Sequence, residues 1–200
     1  MIAIIDYGVG NLESVYKALE SLNFESKITR NVEDINNADA IILPGVGAFK
    51  DAIENLRNMN LVNPLMENIK KGKPLLGICL GMQLLYEESL EDGKWKGLGF
   101  LKGSVVKFKG VVKIPHMGWN NLNVLKKDNI TKYINENDYV YFVHSYYAKG
   151  EYNDLIATTD YKVDVPAIVR KGNVIGMQFH PEKSGKVGLS LLKAFGEMIK

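Results

Sequence analysis

In the first half of the chain, short apolar β-rich runs alternate with segments of helical spacing, and this alternation restricts the possible folds more than any other feature. "IAIID" (2–6) precedes "NLESVYKALESL" (11–22), in which Leu12, Val15, Tyr16, Leu19 and Leu22 fall on one helical face. Asn11 stands where that helix needs its N-cap. "ADAIILPG" (38–45) reads as a second strand, stopped by Pro-Gly. "FKDAIENLRNM" and "LVNPLMENIKKG" read as helices, the latter closed by Gly72. "KPLLGI" is a third apolar strand, and "LGMQLLYEES" continues from it with a helical pattern. Strands separated by helices pair in parallel, which predicts a doubly wound α/β fold with a mainly parallel central sheet.

The second half has a different rhythm. "GSVVKFKG", "VVKIPHMGWNNLNVL", "DYVYFVHSYYA", "NDLIATTDY", "PAIVRKG" and "NVIGMQF" are β-rich runs separated by turn residues. They predict an antiparallel or mixed extension of the sheet, followed by a C-terminal helix, "GLSLLKAFGEMIK". With no internal repeat or Pro/Gly/Ser linker, residues 1–200 are expected to form a single domain.

Several function classes are disfavoured. A formal net charge of +2, with Lys and Arg spread along the chain, gives no nucleic-acid surface. The longest uncharged stretch, Pro74 to Tyr86, is shorter than a membrane span. The N-terminus carries no basic segment ahead of its apolar run, so a soluble, reducing, cytoplasmic setting is expected. The single cysteine excludes an internal disulfide and a cysteine-rich zinc site, and no cofactor or metal is expected.

That cysteine carries the strongest chemical signal. A lone cysteine in an apolar run is commonly a small buried hydrophobe. Here, however, Gly77-Ile78-Cys79-Leu80-Gly81 fits the G-x-nucleophile-x-G spacing of a sharp strand-to-helix turn. Glycines at −2 and +2 remove the side chains that would collide as strand and helix approach. A position at a helix start favours thiolate, and the Leu80 N–H can donate to an oxyanion. Gln83 lies one turn up the same helix face.

A thiol nucleophile needs a base, and the base needs a group that fixes its tautomer. "QFHPEKS" supplies both: His180 at the end of an apolar strand, and Glu182 two residues on, across a Pro181 linkage expected to be extended. His116 and His144 have no acid within two residues and read as binding or packing residues. "LPGVGAF" adds a loop in which Gly45 and Gly47 let main chain approach a ligand. In open α/β sheets sites form at the carboxyl ends of strands, where "DYGVGN", "PGVGAF", "CLGMQ" and "HPEKS" all fall.

"GICLGMQ" together with "FHPE" resembles the triad (class I) glutamine amidotransferases. "MIAIIDYGVGNLESV", "LPGVGAF", "IPHMGWN" and "FVHSYY" extend the resemblance over essentially the whole chain. They narrow it to glutaminase subunits that pass ammonia to a cyclase subunit, a (βα)₈ barrel, in histidine biosynthesis. The resemblance implies Cys79 as nucleophile, His180 as general base and Glu182 as its orienter. It implies an oxyanion hole from the N–H groups of Leu80 and the Val46–Gly47 segment. Glutamine would contact Gly45, Gly47, Gln83, His144, Ser145 and Tyr146. The cyclase would meet the "YGVGN" loop with Asn11, Trp119, Asn120 and Lys183.

Three other readings compete. Glutaminases serving other synthetases share the triad, but "IPHMGWN" argues against them. A stand-alone cysteine hydrolase would act without a partner. A nucleotide-binding module, suggested by "DYGVGNLE", fails at the third glycine of G-x-G-x-x-G, where Glu13 stands.

Overall fold

A computed structural model describes residues 1–110 and 113–199. The first half forms β1 (Ile2–Ile5), α1 (Leu12–Ser21), β2 (Ser26–Thr29), α2 (Val32–Asn37), β3 (Ala40–Gly45), α3 (Phe49–Asn58), α4 (Val62–Lys70), β4 (Leu75–Cys79) and α5 (Leu80–Leu84). The second half forms β5 (Tyr86–Ser89), β6 (Trp95–Lys96), β7 (Leu101–Lys107), β8 (His116–Asn121), β9 (Asn123–Val124), β10 (Tyr139–His144) and β11 (Tyr146–Gly150). It continues with β12 (Leu155–Asp160), β13 (Asp164–Lys171), β14 (Val174–Met177), a 3₁₀ turn at Pro181–Lys183 and α6 (Gly185–Gly196).

The central sheet has the order β2-β1-β3-β4-β14-β13-β12-β9. Its first five strands are parallel and the last three run antiparallel to their neighbours. Alternate residues of each central strand enter opposite cores. Ala3, Ile5, Ile41, Leu43 and Leu75 pack with α3 and α4, while Ile2, Ile4, Ile42, Leu76 and Ile78 pack with α1 and α6. Burial on both faces is why these strands read as unbroken apolar runs. The doubly wound, mainly parallel α/β architecture is therefore present, and its β1, β3, β4 and β14 carboxyl ends share one edge.

Some expectations need correction. The second strand starts at Ala40 rather than Ala38 and ends at Gly45 as expected, with Pro44 inside it. The β1 pairing has ended at Ile42, so the missing Pro44 N–H falls where no ladder bond is needed. The helix after Cys79 ends at Leu84, and Tyr86–Ser89 form β5, parallel to β7. Tyr86 and Ser89 are buried while Glu87 is exposed, a spacing of three that a helix also gives and that β5 reaches through a register irregularity against β7 between Tyr86 and Glu88.

Only part of the second half extends the central sheet. β10 pairs with β8, and β11, β7, β5 and β6 form a further four-stranded sheet. The first residues of "VVKIPHMGWNNLNVL", Val111 and Val112, lie outside the described residues, as does Lys200 at the end of the expected last helix. That helix starts earlier than expected, at Gly185. Asn11 occupies the N-cap position of α1, but its side chain makes no capping hydrogen bond. Among the described residues, no helix is long and apolar enough to cross a membrane.

Candidate active site

Cys79 ends β4 and begins the turn into α5 with φ 53° and ψ −110°, a region that residues other than glycine seldom occupy. The flanking glycines explain how the turn closes. A Cβ on Gly77 would stand 2.7 Å from the Gly81 carbonyl oxygen and 2.8 Å from the Met82 Cα. A Cβ on Gly81 would overlap the Leu43 carbonyl. Strand β4, strand β3 and helix α5 thus meet backbone to backbone beneath the cysteine. α5 has only five residues, so its macrodipole adds little; its first N–H groups, Leu80's included, lack carbonyl partners within the helix.

His180 follows β14. Its Nδ1 lies 2.8 Å from Glu182 Oε1, and both side chains are almost fully buried. A carboxylate accepts, so Nδ1 carries the proton and Nε2 is the nitrogen left for chemistry. Nε2 has no hydrogen-bond partner among the described residues. Burial opposes charge on His180, but the Cys79 sulfur and the Glu182 carboxylate together outweigh it and raise the pKa to about 10. The linkage through Pro181 is not wholly extended. His180 (φ −99°, ψ 96°) avoids the helical region, as a residue before proline does, but Pro181–Lys183 form one 3₁₀ turn that brings the carboxylate back to the imidazole. The His180 backbone is anchored at both of its polar groups: its N–H donates to the Tyr141 carbonyl (3.0 Å), and Ser184 Oγ donates to its carbonyl (2.6 Å).

Cys79 and His180 line one cavity of ≈ 320 Å³ with Val46, Gly47, Leu80, Gln83, His144, Ser145 and Tyr146, all expected site residues. Glu182 stands behind His180. Gly45 does not line the cavity; a Cβ there would sit 2.6 Å from the Tyr7 hydroxyl and 2.8 Å from the Gly81 nitrogen, so its glycine serves packing. Tyr7 anchors this strand end by donating to the Pro44 carbonyl at 2.6 Å.

A buried polar network ties the cavity walls together. Gln83 Nε2 donates to the Tyr146 carbonyl (3.0 Å) and to Gln178 Oε1 (3.1 Å). Gln178 Nε2 in turn lies 3.8 Å from Cys79 Sγ. Gln83 therefore has Oε1 to offer a ligand. Sequence reasoning missed Gln178, although a glutamine two residues before His180 in an apolar run shares its face of the strand end. It also missed Glu91, the acid lining the cavity, whose Oε2 accepts from Phe49 N–H at 2.8 Å. Glu91 sits in a charged loop segment with no pattern to mark it.

Of the residues assigned to a partner face, Trp119 is 55% exposed and Lys183 is exposed. Asn11 is half-buried. Asn120 is also half-buried and engaged within the chain, donating to the Asp160 carbonyl at 2.9 Å. Among the described residues, no group of three or more His, Cys, Asp or Glu side chains could hold a metal.

The family model "Glutamine amidotransferase class-I" matches residues 3–197. This chain belongs to the class I glutamine amidotransferase family. The amidotransferase is 56% identical over 201 residues to "Imidazole glycerol phosphate synthase subunit HisH" of Oceanobacillus iheyensis, covering 100% of both chains. It is 54% identical to the protein of the same name from Caldanaerobacter subterraneus subsp. tengcongensis, covering 100% of this chain and 99% of that one. Among solved structures, its fold is similar to one described as "Structure of PurLQS from Thermotoga maritima" (TM-score 0.80, 22% identity, 100% and 98% coverage). It is also similar to "Crystal structure of glutamine amidotransferase" (TM-score 0.77, 21% identity, 98% and 100% coverage).

Proposed function

We propose that this amidotransferase is the glutaminase subunit of an imidazole glycerol phosphate synthase, releasing ammonia from glutamine for a cyclase subunit in histidine biosynthesis. The observation that carries the chemistry is the shared cavity of Cys79 and His180, with Glu182 2.8 Å behind the imidazole. The full-length relatives at 54–56% identity carry the choice of synthase.

The Cys79 thiolate attacks the carboxamide carbon of glutamine. The oxygen of the tetrahedral adduct is held by main-chain N–H groups of Leu80 and the Val46–Gly47 segment. His180 gives its Nε2 proton to the departing nitrogen, ammonia leaves, and a glutamyl thioester remains. Water then loses a proton to Nε2 and attacks the thioester. The adduct collapses, expelling the Cys79 thiolate and freeing glutamate. Glu182 keeps the Nδ1 proton in place throughout. Gln83, His144, Ser145, Tyr146 and Gly47 hold the substrate, and the Glu91 carboxylate complements its α-ammonium. These steps need no metal or organic cofactor.

The chain works as one domain, residues 1–200, in the cytoplasm, as one half of a heterodimer with a (βα)₈ cyclase. The docking face is the active-site edge, with Asn11, Trp119, Asn120 and Lys183. It is supported by the outward side of the β8–β10 sheet, where Met117, Trp119 and Tyr139 are 62%, 55% and 57% exposed. Ammonia is largely protonated in neutral water, so a sealed transfer between subunits conserves it.

Reconstitution tests this reading. The chain mixed with a cyclase subunit should form cyclised product from glutamine, and the chain alone should release little ammonia. High glutaminase activity without any partner would overturn the synthase assignment in favour of a stand-alone hydrolase.

A further inference from the structure

His116 is buried, takes no part in the chemistry above, and sits opposite His144 in the β8–β10 ladder. Its ring stacks on Phe142 (4.7 Å, 17°) and on Tyr161 (3.9 Å, 19°). Nδ1 lies 3.1 Å from His144 Nε2, and Nε2 lies 3.3 Å from Asn120 Nδ2. His144 Nδ1 lies 2.8 Å from the Tyr146 carbonyl oxygen.

The polarity of this chain is fixed from both ends. The Tyr146 oxygen can only accept, so His144 carries its proton on Nδ1 and offers a lone pair at Nε2. At the other end, Asn120 Oδ1 accepts from Asn121 N–H (2.9 Å) while Nδ2 donates to the Asp160 carbonyl, which orients the amide as a donor towards His116. His116 must then accept at Nε2 and donate from Nδ1. Asn120, His116, His144 and Tyr146 thus form a single directed series in which each ring holds one proton. A second proton on either ring would set N–H against N–H. Burial acts the same way, lowering the pKa of His116 to about 4 and of His144 to about 3.

We propose that His116 is a positioning residue for glutamine binding: its Nδ1–H holds His144, and through it the Tyr146 main chain, in the arrangement that lines the cavity. The Tyr146 carbonyl is also where Gln83 donates, so this one oxygen joins the cavity wall to the helix beyond Cys79. The inference rests on reading the cavity as the glutamine site.

The test uses the complex with the cyclase subunit. His116→Phe keeps the stacked ring and removes the donor. His116→Asn places an amide N–H near the Nδ1 position. In His116→Phe the KM for glutamine should rise about tenfold, kcat should change by less than about threefold, and ammonia-dependent turnover should be unaltered. His116→Asn should recover most of the KM. An unchanged KM in His116→Phe, an equal rise in both variants, or a loss confined to kcat would each overturn the proposal. A parent complex that releases no ammonia from glutamine would instead refute the proposed function. Long-range ¹H–¹⁵N spectra of the histidine-labelled parent at neutral pH give an independent reading. They should show both rings as neutral Nδ1–H tautomers, and an Nε2–H tautomer on either ring would refute the relay even if His116→Phe does not fold.

Discussion

Gly81→Ala probes the link from elbow packing to catalysis. The added Cβ would lie 2.8 Å from the Leu43 carbonyl carbon, and closer still to its oxygen. An unstrained carbon–carbon contact is ~3.5–4.0 Å, so α5 must recede from β3 by about 1 Å. Neither side can yield locally, since one is an interior strand of a close-packed sheet and the other is the helix backbone. Overpacking of this kind costs about 1–3 kcal/mol, a fall in Tm of roughly 2–4 °C per kcal/mol for a chain of this size. The catalytic cost is the sharper signature. The shift moves Leu80 N–H and Cys79 Sγ relative to His180, and a misplacement of ~1 Å can cost ~100-fold in rate. The assay is ammonia release from glutamine by the complex, with ammonia-dependent cyclisation and thermal unfolding measured alongside. Gly172→Ala is the control: its φ is +60° but nothing lies within 4 Å of the added Cβ, so it should lose only backbone stability. Glutaminase activity in Gly81→Ala within about threefold of the parent would refute the claim that elbow packing sets the nucleophile's position.

Glu182→Gln should cut glutaminase activity by about 100-fold or more and lower the His180 pKa from its value of about 10. Because that pKa is raised from 6.5, the stability it confers is complete below about pH 6.5 and is lost as pH rises through about 10. The parent should therefore lose stability with rising alkalinity more steeply than the variant, and an NMR titration placing the parent's His180 at or below 6.5 would contradict this account. Glu91→Gln should raise the KM for glutamine by about tenfold with kcat nearly unchanged, as expected for a charge that binds the substrate's ammonium equally in ground and transition states. An unaltered KM would remove Glu91 from the binding site.

How much of this was legible in the sequence depended on how each element is buried. β1, β3 and β4 are covered on both faces and announce themselves as apolar runs, and α1, α3 and α4 each bury one stripe. β2 is an edge strand with the letters "SKIT", and α2 is a short polar helix, so neither offers a period to read. β5 reads as helix because a few apolar residues beside an elbow fit a helical period, and its pairing with β7 arises from chain well downstream.

The site divides the same way. Cys79, His180 and Glu182 were legible because their spacing is dictated by local geometry: two glycines at a collision point, and a histidine–proline–glutamate turn. Gln178, Glu91 and the His116–His144 link depend on contacts between distant strands and loops, which no local pattern records. The packing role of Gly45 is hidden for the same reason, since the Tyr7 hydroxyl that crowds it comes from another strand end.

The account's central claim is that the Cys79 sulfur opens the glutamine carboxamide. Cys79→Ala in the complete complex tests it directly, with product formation measured from glutamine and from ammonia. Turnover from glutamine should disappear while turnover from ammonia continues at the parent's rate. Glutamine-dependent turnover that persists in Cys79→Ala would contradict the claim outright.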